Sequence, residues 1–162
     1  MEEEREILDA APVVRKVVRM LLPLARLRGI GIDTTFEPDC SVMTVEDDLY
    51  QIVFNLTENA IKYNRQDGWV GVSIRRAGDQ VELRVEDSGA GIPPESMEHI
   101  FERFYRVDKA RYRAAGGAGL GLSIVNDMVE RSYGTITVQA RPGGGTIFTV
   151  RFPHFDLEED ET

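Results

Sequence analysis

The chain reads as a single α/β domain, a two-layer sandwich in which one mixed sheet carries helices on one face. Two long segments of helical period, one alternating hairpin and a closing pair of strands predict it. After a charged lead-in at residues 1–8, Val13 to Leu27 places Val14, Val17, Val18, Leu21, Leu24 and Ala25 on one stripe. That spacing predicts a helix, with Pro23 inside it predicting a kink or an early stop. Ile30 to Phe36 alternates apolar and polar residues, Ser41 to Val45 is a second short extended piece, and Glu37-Pro-Asp39 supplies a turn between them. A small strand pair is expected there. Glu46 to Asn64 carries Leu49, Ile52, Val53, Leu56 and Ala60 on one stripe, the clearest helix in the chain.

Val70, Val72 and Ile74 share a face, as do Val81, Leu83 and Val85, and Ala77-Gly-Asp79 between them has turn chemistry. The second strand of that hairpin delivers Asp87. Residues 93–118 are first proline-rich, then basic and glycine-rich, with no sustained period, and predict a mobile flap. Helical spacing returns at Leu120 to Arg131 through Ile124, Val125, Met128 and Val129. Two strands, Thr135 to Ala140 and Thr146 to Phe152, flank the turn Pro142-Gly-Gly-Gly145. One domain over residues 1–155 and an acidic tail at 156–162 complete the organisation.

Composition narrows the function classes. A chain of 162 residues, 42% hydrophobic, suffices for one core. The net charge of −9, from 28 acidic and 19 basic residues, opposes non-specific nucleic-acid binding. Cys40 is the only cysteine, so no intrachain disulfide forms, and no apolar run reaches the roughly 18 residues of a membrane-spanning helix. A reducing, cytoplasmic setting without membrane contact by this chain is expected, and a membrane region upstream of Met1 stays compatible with that.

Three motifs carry the chemistry. Asp87-Ser-Gly-Ala-Gly91-Ile92 joins a strand-end carboxylate to a glycine-rich turn, and Gly116-Gly-Ala-Gly-Leu-Gly-Leu122 is a second glycine-rich segment opening a helix. Glycines let main-chain N–H groups approach phosphate oxygens, while a buried carboxylate accepts a hydrogen bond from the exocyclic amine of adenine. On the helix before them, at about 100° per residue, Asn55, Asn59 and Lys62 fall within roughly 60° of one another beside the apolar stripe. A purine nucleotide suits that combination. The glycine run is no dinucleotide fingerprint, because Arg111-Tyr-Arg-Ala-Ala before it is no buried strand. Nor is it a P-loop, since Leu122 stands where the phosphate-binding lysine is required. Arg103, Arg106, Lys109, Arg111 and Arg113 then gather positive charge in an otherwise acidic chain, as a polyphosphate requires.

In content, order and spacing, Asn55 to Tyr63, Asp87 to Ile92, Ile100 to Asp108 and Gly117 to Val125 resemble the N, G1, F and G2 boxes of sensor histidine kinases. Those proteins carry a catalytic, ATP-binding domain of the gyrase, chaperone, histidine kinase and MutL superfamily. The resemblance implies the Bergerat-type ATP-binding fold with a flexible lid, and ATP with Mg2+ as cofactors. It implies that Asn59 coordinates magnesium through its side-chain oxygen, that Lys62 reaches a phosphate and that Tyr63 packs by the adenine. Asn55 then lies near the γ-phosphate and Arg106 contacts it, so that Asn55, Asn59 and Arg106 are the catalytic set. Asp87 binds the adenine amine, with Gly89, Gly91 and Ile92 around the base and Gly117, Gly119, Leu120, Gly121 and Leu122 around the phosphates.

Where hydrolysing relatives carry a glutamate that activates water, this chain has Asn55, with Glu58 three residues away, so rapid hydrolysis is not expected. The γ-phosphoryl group is expected to pass to a histidine on a separate dimerisation and phosphoacceptor domain, with a response regulator beyond it. Neither His99 nor His154 lies in the acceptor context, nor does either make a convincing metal ligand; His99 is expected at the surface and His154 at a strand end. Two other readings are an ATP-binding interaction module without transfer and a slow ATPase. Phe101 and Phe104 are expected to dock the loop on this domain or on a partner. Asn64, and Ser132-Tyr133 where a His-Gly pair is common, depart from the family pattern at the rim.

Overall fold

The computed structural model describes residues 4–103, 105 and 121–157. Among these residues, seven strands and four helices follow in chain order: β1 (Glu6–Asp9), α1 (Ala10–Leu27), β2 (Gly31–Phe36), β3 (Ser41–Thr44), α2 (Glu46–Lys62), β4 (Trp69–Ala77), β5 (Gln80–Asp87), α3 (Pro94–Met97), α4 (Leu122–Arg131), β6 (Thr135–Ala140) and β7 (Thr146–Pro153). Five strands form one mixed sheet in the order β2-β4-β5-β7-β6, parallel only between β2 and β4.

Period-two alternation sends one face of that sheet to the helices. Val70, Val72 and Ile74 of β4, Val81, Leu83 and Val85 of β5, and Phe148, Val150 and Phe152 of β7 are all buried in one cluster with α1, α2 and α4. The opposite face is polar, carrying the ion pair Arg84–Glu86 along β5 and the cross-strand pair Arg151–Glu82. In the helix layer α2 is central, packing against α1 on one side and α4 on the other. Its stripe is dry, with Leu49, Ile52, Val53 and Leu56 at most 1% exposed.

Three sequence expectations need correction. The segments at 30–36 and 41–45 are both strands, but they do not pair. Strand β2 runs parallel to β4, Gly31 opposite Trp69, and β3 runs antiparallel to β1, Ser41 opposite Asp9. Asp39, with φ of 63°, turns the chain out of the main sheet after Pro38, so β3 meets the N-terminal segment instead. That segment is itself a strand over Glu6–Asp9, not only a charged lead-in. Pro23 does not shorten α1, which continues to Leu27. Pro23 is exposed, so the carbonyl left without its N–H partner faces water.

The ends of the helices explain their bounds. Asp9 caps α1 by accepting from the Ala11 N–H at 3.3 Å. At the other end Gly29 takes φ of 68°, with Ile30 N–H bonding the Ala25 carbonyl at 2.8 Å and Gly29 N–H the Arg26 carbonyl at 3.1 Å. Helix α4 ends in the same pair of bonds, from Gly134 to Val129 and from Tyr133 to Glu130. There the left-handed position is held by Tyr133, at φ of 63°. Nearby, the buried hydroxyls of Thr44 and Ser132 bond each other at 2.7 Å, tying β3 to the end of α4.

Candidate functional site

The alternation that buries Val81, Leu83 and Val85 carries Asp87, the last residue of β5, to the same helix-facing side. Its Oδ1 accepts from the Gly89 N–H at 2.8 Å. Burial pushes the Asp87 carboxyl up to about 6, while the backbone N–H groups of Gly89 and Thr146 and the charge of Arg141 pull it the other way. Thr146 is buried directly opposite Asp87 on β7. The result is a desolvated carboxylate at a strand end, for which a further donor is favourable.

The turn after Asp87 is seated on the C-terminal end of α2. A Cβ on Gly89 would come within 2.6 Å of the Tyr63 carbonyl oxygen and 3.0 Å of the Asn64 Cα. Asn64 fastens that junction, its Nδ2 donating to the Trp69 carbonyl at 2.9 Å and its Oδ1 accepting from the Ser88 hydroxyl at 3.3 Å. Ser88 in turn accepts from the Trp69 N–H at 2.7 Å. From below, Gly145, at φ of 114°, presses on the Asp87 carbonyl so closely that any side chain would collide with it. Gly91, at φ of 77°, follows, 3.4 Å from the Gly145 carbonyl for a Cβ placed on it.

Tyr63, which closes α2, thus lies beside the Asp87 turn, and Asn55, Asn59 and Lys62 precede it on the same helix. Lys62 pairs with Glu58 at 3.4 Å, one turn earlier, so Glu58 is engaged with a cation. Burial raises the Tyr63 hydroxyl pKa, with Glu58 adding to the shift. Helix α4 begins at Gly121, which takes φ of 64°; the Leu122 side chain is 2% exposed and belongs to the core, leaving only its main chain for a ligand. Ile92 packs partly buried against the core. Arg106, Gly117, Gly119 and Leu120 lie outside the described residues, as do Phe104, Lys109, Arg111 and Arg113.

Phe101 docks on this domain, its ring edge-on to Phe148 at 6.4 Å between centroids. The Tyr105 hydroxyl bonds Ser96 at 2.9 Å. His99 is 44% exposed in its side chain and lies 2.9 Å from Glu102, which raises its pKa. His154 follows β7 with a side chain only 5% exposed. It gathers with Asp39 and Asp156, a grouping the sequence did not suggest. The Arg76 guanidinium already occupies that corner, 2.6 Å from Asp39 and 3.0 Å from His154 Nε2. Sequence reasoning also missed Ser88, Gly145 and Thr146 and placed Asn64 only at the rim; of these, the adjacency of Ser88 to Asp87 and the Gly-Thr start of β7 were the available signals.

With that geometry in view, comparison with known proteins gives the family. The family model described as histidine kinase-, DNA gyrase B-, and HSP90-like ATPase matches residues 44–156. The chain belongs to that ATPase family. Among curated relatives, it is similar to the sensor-like histidine kinase SenX3 of Mycobacterium tuberculosis, 39% identical over 90% of this chain and 35% of the relative. It is also similar to the sensor histidine kinase WalK of Bacillus subtilis, 38% identical over 76% of this chain and 20% of the relative. The chain therefore spans about a third or less of these relatives. Among solved structures, the catalytic domain of the histidine kinase ThkA superposes with a TM-score of 0.83 at 25% identity, covering 94% of this chain and 97% of that one. The mycobacterial sensor histidine kinase MprB gives 0.78 at 29% identity, with 94% and 99% covered. The five-strand mixed sheet with helices on one face is thus the fold of histidine kinase ATPase domains. No helix among the described residues is long and apolar enough to cross a membrane.

Proposed function

We propose that this ATPase-family domain binds Mg-ATP between the α2 edge and the Asp87 turn and, within a sensor histidine kinase, donates the γ-phosphoryl group to a histidine on a separate dimerisation and phosphoacceptor domain. The observation that carries the reading is Asp87, a strand-end carboxylate with one oxygen held by the Gly89 N–H and a pKa raised by burial despite its backbone donors. An adenine amine supplies such a donor. Tyr63 and Gly89 bound the base pocket, and Lys62, released from Glu58, reaches a phosphate.

The donor set also fits a magnesium ion: amide oxygens are hard ligands, and Asn55 and Asn59 stand one turn apart on the α2 edge, with Asn59 as the protein ligand. The ion supplies charge neutralisation of the transferring phosphoryl group. Asn55 and Asn59 orient the phosphates; Asn55 stands where hydrolysing relatives carry the glutamate that activates water, and an amide cannot serve as that base. That favours transfer over hydrolysis, since transfer needs mainly alignment. Arg106 and the main-chain N–H groups of Gly117, Gly119, Leu120, Gly121 and Leu122 complete the phosphate contacts.

The partner domain belongs to the longer protein, which acts at the cytoplasmic side, and a response regulator belongs to the full system. A solved structure titled as histidine kinase ThkA in complex with the response regulator protein TrrA supports that arrangement. The experiment combines ATP and ADP calorimetry, with and without Asp87→Asn, and transfer from γ-labelled ATP to an added phosphoacceptor domain. Expected are weaker nucleotide binding by the variant, label on the added domain's histidine, and none on His99 or His154. Equal affinities, or label on this chain alone, overturn the reading.

A further inference from the structure

Away from the nucleotide site, the α1–β2 turn and the α2–β4 turn enclose a crevice of about 490 Å³. Its accessible apolar surface is Leu27, which is exposed, whereas Ile30 and Ile61 at its base are nearly inaccessible. The rim is basic. Arg26, Arg28 and Arg65 line it against a single carboxylate, Asp67, in a chain whose net charge is −9.

Arginines near helix ends often serve only to cap carbonyls, and Arg28 does so, its Nη1 donating to the Lys62 carbonyl at 3.1 Å. Arg26 and Arg65 are different. Both are exposed and neither makes an ion pair or a side-chain bond to a helix carbonyl among the described residues. Two uncommitted guanidiniums beside an exposed leucine, in a space of the size small ligands occupy, match an anion with an apolar body. Asp67 on the same rim disfavours a ligand of high negative charge. The crevice also shares a wall with the nucleotide site, because Asn64 lines it while accepting from Ser88, next to Asp87.

We propose that this crevice is a second ligand site, specific for a small organic anion that carries an aromatic or aliphatic body and one phosphate, sulfonate or carboxylate group. It is separate from the nucleotide cleft and does not depend on phosphoryl transfer.

The probe is 1-anilinonaphthalene-8-sulfonate, titrated by amide NMR into the full chain saturated with Mg-ADP, whose own binding is first established by calorimetry. Saturable shifts at Gly29, Ile30, Ile61 and Gln66 are expected with ADP in place. Arg26→Glu combined with Arg65→Glu is expected to weaken the probe at least tenfold with the ADP affinity retained, whereas Arg75→Glu on the exposed edge of β4 leaves it unchanged. The uncharged analogue N-phenyl-1-naphthylamine should bind at least tenfold more weakly than the sulfonate. Shifts confined to residues 87–92, an affinity indifferent to the double variant, or equal binding of the uncharged analogue would each overturn the site. If ADP itself fails to bind, the nucleotide reading falls, and the probe's response to the double variant in the free chain still decides this one.

Discussion

Gly89 and Tyr63 are in main-chain contact: the turn that follows Asp87 rests on the last carbonyls of α2, with room for a hydrogen but not for a methyl group. The relative position of the base-binding carboxylate and the polar edge of α2 is therefore fixed by backbone, not by adaptable side chains. Gly89→Ala is expected to force the two segments apart, with a stability loss of about 1–3 kcal/mol, as for overpacking in general. Nucleotide affinity should fall with it. Thermal melting and ADP calorimetry check both, and an unchanged affinity would show that the two segments adjust independently.

Asp87 makes both stability and binding depend on pH. Its folded pKa of about 6 lies above the ordinary 3.8, so between those values the folded state binds more protons than the unfolded one, and stability falls as pH rises through that window. The group's contribution is fully present below pH 4 and lost above pH 6, on the order of 3 kcal/mol. Asp87→Asn should flatten that slope in urea titrations at pH 4 to 7. Nucleotide binding runs the opposite way, since the adenine amine needs the ionised carboxylate: affinity should rise from pH 5 to 7, with proton release on binding near pH 6. Calorimetry in two buffers of different ionisation enthalpy measures that release.

Tyr133 occupies a left-handed position that glycine takes with less strain. Tyr133→Gly is expected to stabilise the chain by about 1 kcal/mol, the left-handed penalty of an L residue less the added freedom of glycine when unfolded. The melting temperature should rise by roughly 3 °C. Lost stacking of Arg5, which lies 5.4 Å from the Tyr133 ring, is too exposed to reverse the sign.

Ser88→Ala removes the acceptor for the Trp69 N–H and the donor to Asn64, both part-buried. A cost of about 1–3 kcal/mol is expected, with faster amide exchange at Trp69. Exchange at Trp69 that matches the unaltered chain would show the bond to be dispensable.

Much of this was legible in the sequence, and the exceptions have a common cause. Helix α2 and the β4–β5 hairpin were readable because their periods persist for many residues and the signals are local. Asp87 was readable because alternation assigns its face. Strand β1 was not, since Glu6-Ile-Leu-Asp9 is four residues long, too short for a period amid charges. The partners of β2 and β3 were misassigned because neighbours in sequence were taken as neighbours in space, whereas a parallel seam joins segments separated by a crossover. Asn64, Ser88 and Gly145 matter through contacts between distant stretches of chain, which the local signals at Ser88 and Gly145 do not specify.

The parallel seam between β2 and β4 has a consequence for how the chain assembles. Strand β2 comes first in sequence among the five strands of the main sheet, yet its partner there among the described residues arrives after β3 and the whole of α2, so β2 waits for a long loop to close. The meander from β4 through β5 forms from adjacent sequence and needs no such wait. Folding then proceeds from the interior strands outward, and β2, half solvated and held along one side only, is the last strand secured and the first to fray.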